Sequence, residues 1–81
     1  MEYSTLNNLK INQKAQLYDL YTHPDLKKRL MDMGFVKGTE ITRLFSSADE
    51  GISAYLARGS VIALRRCDAE KILTTACGVM L

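Results

Sequence analysis

The side chains that could bind a metal or act on a substrate are few and scattered. His23, Asp25, Cys67 and Cys77 are the candidate ligands, with isolated carboxylates elsewhere. A zinc or iron site needs several such groups converging, typically three or four for zinc. Cys67 and Cys77 are ten positions apart, with no second cysteine or histidine beside either. That spacing is unlike a CxxC ligand pair, and each cysteine reads as a small core or surface residue. His23 precedes Pro24 and reads as a loop or capping residue. No metal or other cofactor is expected. Nor does any serine, cysteine or lysine stand in a motif with a histidine base, so an enzyme is not indicated. Gly34, Gly38, Gly51 and Gly59 belong to separate turns, and no phosphate-binding loop can be assembled from them. Asp49 and Glu50 are adjacent carboxylates in a predicted hairpin tip, which is most simply a solvated turn.

Basic residues offer a different chemistry. Lys27, Lys28 and Arg29 form a run, Lys37 follows closely, and Arg65 and Arg66 are adjacent further on, with Arg58 before them. Such a patch suits an acidic partner face or the inner membrane surface. Its plainer reading is a solvated charged surface. The net charge of +2 is too small to imply nucleic acid. Aromatic residues are not interleaved with the basic ones, so a small-barrel RNA-binding or regulatory module ranks second and no nucleic-acid partner is expected. Met31 and Phe35 read as core packing beside Leu26 and Leu30, or as part of a partner face.

These residues are positioned by a short helix and a set of strands. Leu26, Leu30 and Met33 recur at the spacing of one helix face. Thr22 or His23 lies at the N-cap, Pro24 suits the first turn, and Asp25 complements the helix dipole. Gly34 supplies the left-handed residue that closes a helix, and Val36-Lys37-Gly38 is a turn needing a positive backbone angle at Gly38. Strands are predicted over Ala15–Tyr21, Thr39–Phe45, Ile52–Ala57, Val61–Arg65 and near Ile72–Thr74. Ser46–Gly51 and Arg58-Gly59-Ser60 are the hairpin turns. A helical turn is expected near Ser4–Leu9, and another capped by Asp68. The sum is mainly β: a small barrel of about five strands, nearly or fully closed, with one α-helix between the first two.

The 81 residues make one domain, spanning 1–81. A chain this size buries only about 60% of its unfolded surface, so the core is modest. No apolar run approaches the roughly 20 residues that span a bilayer, and Met1-Glu2-Tyr3-Ser4 lacks the features of a signal peptide. A cytoplasmic location is expected.

Several elements in order resemble the FeoA family, small cytosolic proteins associated with bacterial ferrous iron uptake. They are Leu6-x-x-Leu9, Arg29-Leu30-x-x-Met33-Gly34-Phe35, Lys37-Gly38-Thr39-x-Ile41, Gly59 ahead of Ile62-Ala63-Leu64-Arg65, and Asp68-Ala69-x-x-Ile72. The chain departs from the family pattern at Asn12, where relatives usually carry glycine. It departs again at Ser46–Gly51, which lacks a proline found in many relatives. The resemblance implies an SH3-like fold, a module that also occurs fused to iron-dependent repressors. It implies no catalytic residues and one partner, the FeoB-type membrane GTPase that transports ferrous iron. By analogy with SH3 folds, the helix from Pro24 to Met33 would wall a shallow groove that takes a peptide. The apolar segment Ala76–Leu81 leaves a homodimer by strand exchange open.

Overall fold

The computed structural model describes residues 3–76. Strand β1 (Tyr3–Thr5) runs into a 3-10 turn at Leu6–Asn8, and β2 follows at Lys14–Leu20. Helix α1 (Pro24–Asp32) precedes β3 (Glu40–Ser46), β4 (Ile52–Ala57) and β5 (Ser60–Arg65). A single helical turn, α2 (Arg66–Ala69), leads to β6 (Ile72–Ala76). All neighbours in the sheet pair antiparallel, in the order β1-β6-β2-β3-β4-β5. Among the described residues the ladder is open, with β1 and β5 as its edges.

Six strands replace the five expected, because Tyr3–Thr5 is a strand and the helical turn begins only at Leu6. Consequently α1 lies between the second and third strands. The polar triplet of β1 carries no apolar alternation, and its order comes from a distant partner. It pairs with β6 through Tyr3–Thr75, Ser4–Thr74 and Thr5–Leu73. The Thr74 hydroxyl also donates to the Ser4 carbonyl across 70 positions of sequence.

The core gathers Leu6, Leu17, Leu30, Phe35, Ile41, Tyr55 and Ile72, each almost fully buried. Helix α1 contributes Leu30 in full and Leu26 in part. Met33, expected on the same face, is the C-cap residue and is 40% exposed. The helix ends as its sequence requires. Gly34 adopts φ +101°, its N–H donates to the Met31 carbonyl, and the Phe35 N–H reaches back to Leu30. These are the two bonds of a Schellman motif, and the buried Leu30 and Phe35 supply its apolar contact. Phe35 is therefore core. Val36 then accepts from the Thr39 N–H, closing a turn with Gly38 at φ +91°. His23 caps the start of α1, its Nδ1 accepting from the Asp25 N–H at 3.2 Å. At α2 the N-cap is Arg65 and no side chain caps it. Asp68 sits inside the turn and pairs with Arg65 Nε at 3.2 Å.

One irregularity shapes the surface. Arg43 is paired with Tyr55, yet Phe45 is paired with Ala54, so Leu44 is an extra residue in β3. A bulge of this kind reverses which face the following side chains take. Ile41 and Arg43 both turn inward, whereas Phe45 is 63% exposed.

Candidate docking sites

Five of the six basic residues singled out from sequence divide among three depressions, and Lys28 lines none of them. Lys27 and Lys37 line a groove of about 250 Å³ between α1, β2 and the loop after the helix. Its floor is apolar, formed by Leu17, Leu20, Phe35 and Val36, with Met31 of α1 on one wall. Tyr18 and Asp19 form the opposite wall. The Schellman ending and the Gly38 turn place Lys37 on the rim, where its Nζ lies 4.7 Å from the Tyr18 ring centroid. That distance is within cation–π range. Tyr3 of β1 packs against Tyr18, ring centroids 4.7 Å apart and tilted at 57°. Tyr18 is also the extra residue where β2 shifts register against β6, so it stands off the regular ladder.

Arg29 and Arg65 border a second depression with His23, Asp25 and Asp68. Charge there is balanced: Arg65 bonds Asp68, and the lining sets Asp25 against Arg29. Asp68 also holds the Arg65 guanidinium above its ordinary pKa, chiefly through that hydrogen bond. Lys28 is exposed on α1. Arg66 reaches Glu70 at 3.5 Å and borders a third depression.

The third depression, of about 480 Å³, contains a residue that the sequence did not single out. It is lined by the segment Asn7–Ile11, Ser46 and Glu50, the β4 residues Ser53 and Tyr55, and Arg66, with Arg43 at its base. Arg43 is only 7% exposed. Its Nη1 donates to the Leu9 carbonyl and its Nη2 to the Ser53 hydroxyl at 2.8 Å. Glu50 Oε1 stands 3.8 Å from Nη2, and the Arg43 Nε has no partner. The backbone is tied as firmly. Asn12, at φ +67°, donates its N–H to the Arg43 carbonyl, while the Arg43 N–H bonds Gln13. Asparagine thus fills a left-handed position, which it tolerates better than most residues other than glycine. Burial pushes the Tyr55 phenol above its ordinary pKa, against the opposing pull of the Ser53 hydroxyl and the Arg43 charge. A sequence signal for this site did exist: Arg43 alternates with the apolar Ile41 on one strand face.

Among the described residues no three histidine, cysteine, aspartate or glutamate side chains gather where they could hold a metal ion. Cys67 is exposed on α2, while Cys77 and most of the Ala76–Leu81 segment lie outside the described residues. No described helix is long and apolar enough to cross a membrane.

Comparison with known proteins places this geometry. The profile of the FeoA domain matches residues 4–76. A Campylobacter jejuni protein provisionally named Fe(2+) transport protein A is 35% identical over 68 residues, covering 84% of this chain and 92% of that protein. The solution structure of the FeoA protein from Chlorobium tepidum superposes with a TM-score of 0.88 at 26% identity, covering 91% of this chain and 70% of that one. A zinc-complexed FeoA from Stenotrophomonas maltophilia, described as a prokaryotic SH3 domain protein, gives a TM-score of 0.71 at 26% identity. That match covers 86% of this chain and 87% of the other. Its description raises a role as a bacterial ferrous iron transport activating factor. With an SH3-like fold and the family's pattern over nearly all its length, the chain belongs to the FeoA family.

Proposed function

We propose that the protein is a non-catalytic accessory of ferrous iron uptake that docks on the cytosolic side of a FeoB-type membrane GTPase. The observation that carries this reading is the groove between α1 and β2. It combines an apolar floor with Lys27 and Lys37, two ammonium groups on its rim. An apolar floor supplies affinity for a partner side chain, and rim charges steer an acidic partner and set its register. Binding alters the transporter's GTP-linked cycle only to the extent that the groove prefers one of its conformations. The family membership and the transport role given to relatives support the choice of partner.

The test is binding of the detergent-solubilised transporter to the wild-type protein and to a K27E/K37E variant. Both side chains are on the surface and the core is untouched, so folding should be retained. Two reversed rim charges should weaken binding about tenfold or more, and the wild-type affinity should fall with added salt. Unchanged affinity in the folded variant would exclude this groove. Absence of transporter binding by the wild type would remove the proposed partner altogether.

A further inference from the structure

Arg43 is a buried cation whose hydrogen-bonding capacity is incompletely used. A guanidinium carries five N–H donors in a planar fork. Two are committed, to the Leu9 carbonyl and the Ser53 hydroxyl, and Nε has no partner. Among the described residues its carboxylate partner is Glu50, at 3.8 Å. Charge-assisted bonds from arginine to a carboxylate are usually about 2.7–2.9 Å, so Glu50 does not make a close pair. Its side chain is also 67% exposed, in contrast to the 9% of Arg43. A buried charge left without a close counter-ion is costly to hold.

The surroundings indicate which ligand would complete it. Lys10, Arg43 and Arg66 bring three positive charges to the cleft, against Glu50 in its lining and Glu70, which pairs with Arg66 at 3.5 Å. The volume of about 480 Å³ falls within the range of small-molecule sites. Glu50 is held at φ +59° in the β3–β4 loop, its N–H bonded to the Ser47 carbonyl. The loop thereby keeps the Glu50 carboxylate in the lining of the cleft, 3.8 Å from Arg43 Nη2. We propose that this cleft is a carboxylate-binding site, with Arg43 as the anchoring cation and Glu50 as the internal stand-in that the ligand replaces. The carboxylate is either a small free acid or an acidic side chain presented by another protein. The site is separate from the α1–β2 groove and does not depend on the transporter reading.

The test is a titration of the isotope-labelled protein followed by nuclear magnetic resonance. The probes are malonate, the blocked tripeptide acetyl-Ala-Glu-Ala-amide, its glutamine counterpart, inorganic phosphate and sodium chloride at matched ionic strength. The Arg43 Nε–H and the amides of Lys10, Glu50 and Ser53 should shift with the carboxylates and stay still with the glutamine peptide and chloride. Shifts with malonate alone assign the site to a free acid, whereas shifts with the glutamate peptide assign it to an acidic side chain. E50Q removes the competing internal carboxylate from an exposed loop, so it keeps the test independent of core stability. It should tighten carboxylate binding about fivefold, equivalent to about 1 kcal/mol for a partly exposed ion pair. K10Q should weaken it. No shift with either carboxylate, equal response to phosphate or to the glutamine peptide, or unchanged affinity in E50Q would overturn the assignment.

Discussion

Gly34 and Gly38 have similar positive φ values, +101° and +91°, but different surroundings, and substituting each by alanine separates two costs. At Gly38 a Cβ meets nothing within 4 Å, so only the backbone cost applies. A left-handed conformation costs a non-glycine residue about 1–2 kcal/mol, partly offset by about 0.4–1 kcal/mol through a less flexible unfolded chain. A net loss of about 1 kcal/mol should lower Tm by about 4–8 °C in a domain of this size. At Gly34 a Cβ lands 2.9 Å from Arg58 Cδ and 3.4 Å from its Cβ and Cγ. Arg58 cannot retreat freely, since its backbone is fixed at φ +51° in the β4–β5 turn and its Nε reaches the Thr39 hydroxyl at 3.5 Å. Overpacking of this kind adds about 1–3 kcal/mol, so Gly34→Ala should lower Tm at least twice as much as Gly38→Ala. Truncating the obstacle should restore the steric share alone. The double variant Gly34→Ala/Arg58→Ala should therefore show a coupling of about 1 kcal/mol or more in a double-mutant cycle. Thermal unfolding followed by circular dichroism, with reversibility confirmed, measures all four proteins. Equal losses for the two single variants, or no coupling with Arg58→Ala, would refute the reasoning.

Reversing the helix run with Lys27→Glu, Lys28→Glu and Arg29→Glu together should weaken transporter capture while leaving the Tm within a few degrees of wild type, as pull-down and calorimetry would show. Replacing the buried arginine by Arg43→Met strands the Leu9 carbonyl and should cost about 1–3 kcal/mol in chemical denaturation. A stabilised Arg43→Met protein would mean that desolvating the charge outweighs its bonds. The Asp49 carboxyl is held below its ordinary pKa by the Ser47 hydroxyl and the Gly51 N–H. Because its folded-state value is depressed, the stabilisation is present above the unfolded value and disappears as pH falls through the folded one. Amide exchange at Gly51 should therefore accelerate in acid relative to core amides, and the effect should be absent in Asp49→Asn.

Much of the middle of the molecule was legible from local residue chemistry. Met33-Gly34-Phe35 announced a helix stop because only a left-handed residue lets the two Schellman bonds form, and Gly38 announced the turn after it. Arg58-Gly59 was equally readable, with both residues at positive φ in a two-residue hairpin. What escaped depends on distant partners. Strand β1 has three polar residues, and only the arrival of β6 makes them a strand. The bulge at Leu44 leaves no mark in composition, yet it turns Phe45 outward while Arg43 stays inside. An arginine on a predicted strand reads as a solvent-facing residue, so the alternation of Arg43 with Ile41 was a signal easily passed over. The basic run on α1 was visible, but how Lys27, Arg29, Arg65 and Arg66 are shared among depressions depends on packing between elements remote in the chain.

The pairing of Tyr3 with Thr75 sets the first and last described strands side by side at their outer ends. A unit wired in this way can be set into a longer chain through two short connections at a single rim, with no stretch of linker crossing its faces. The same geometry permits rewiring. Joining the two rim strands by a few flexible residues and reopening the chain at the exposed Arg58-Gly59 turn would preserve every strand pairing while moving the point of attachment to the opposite end of the sheet order.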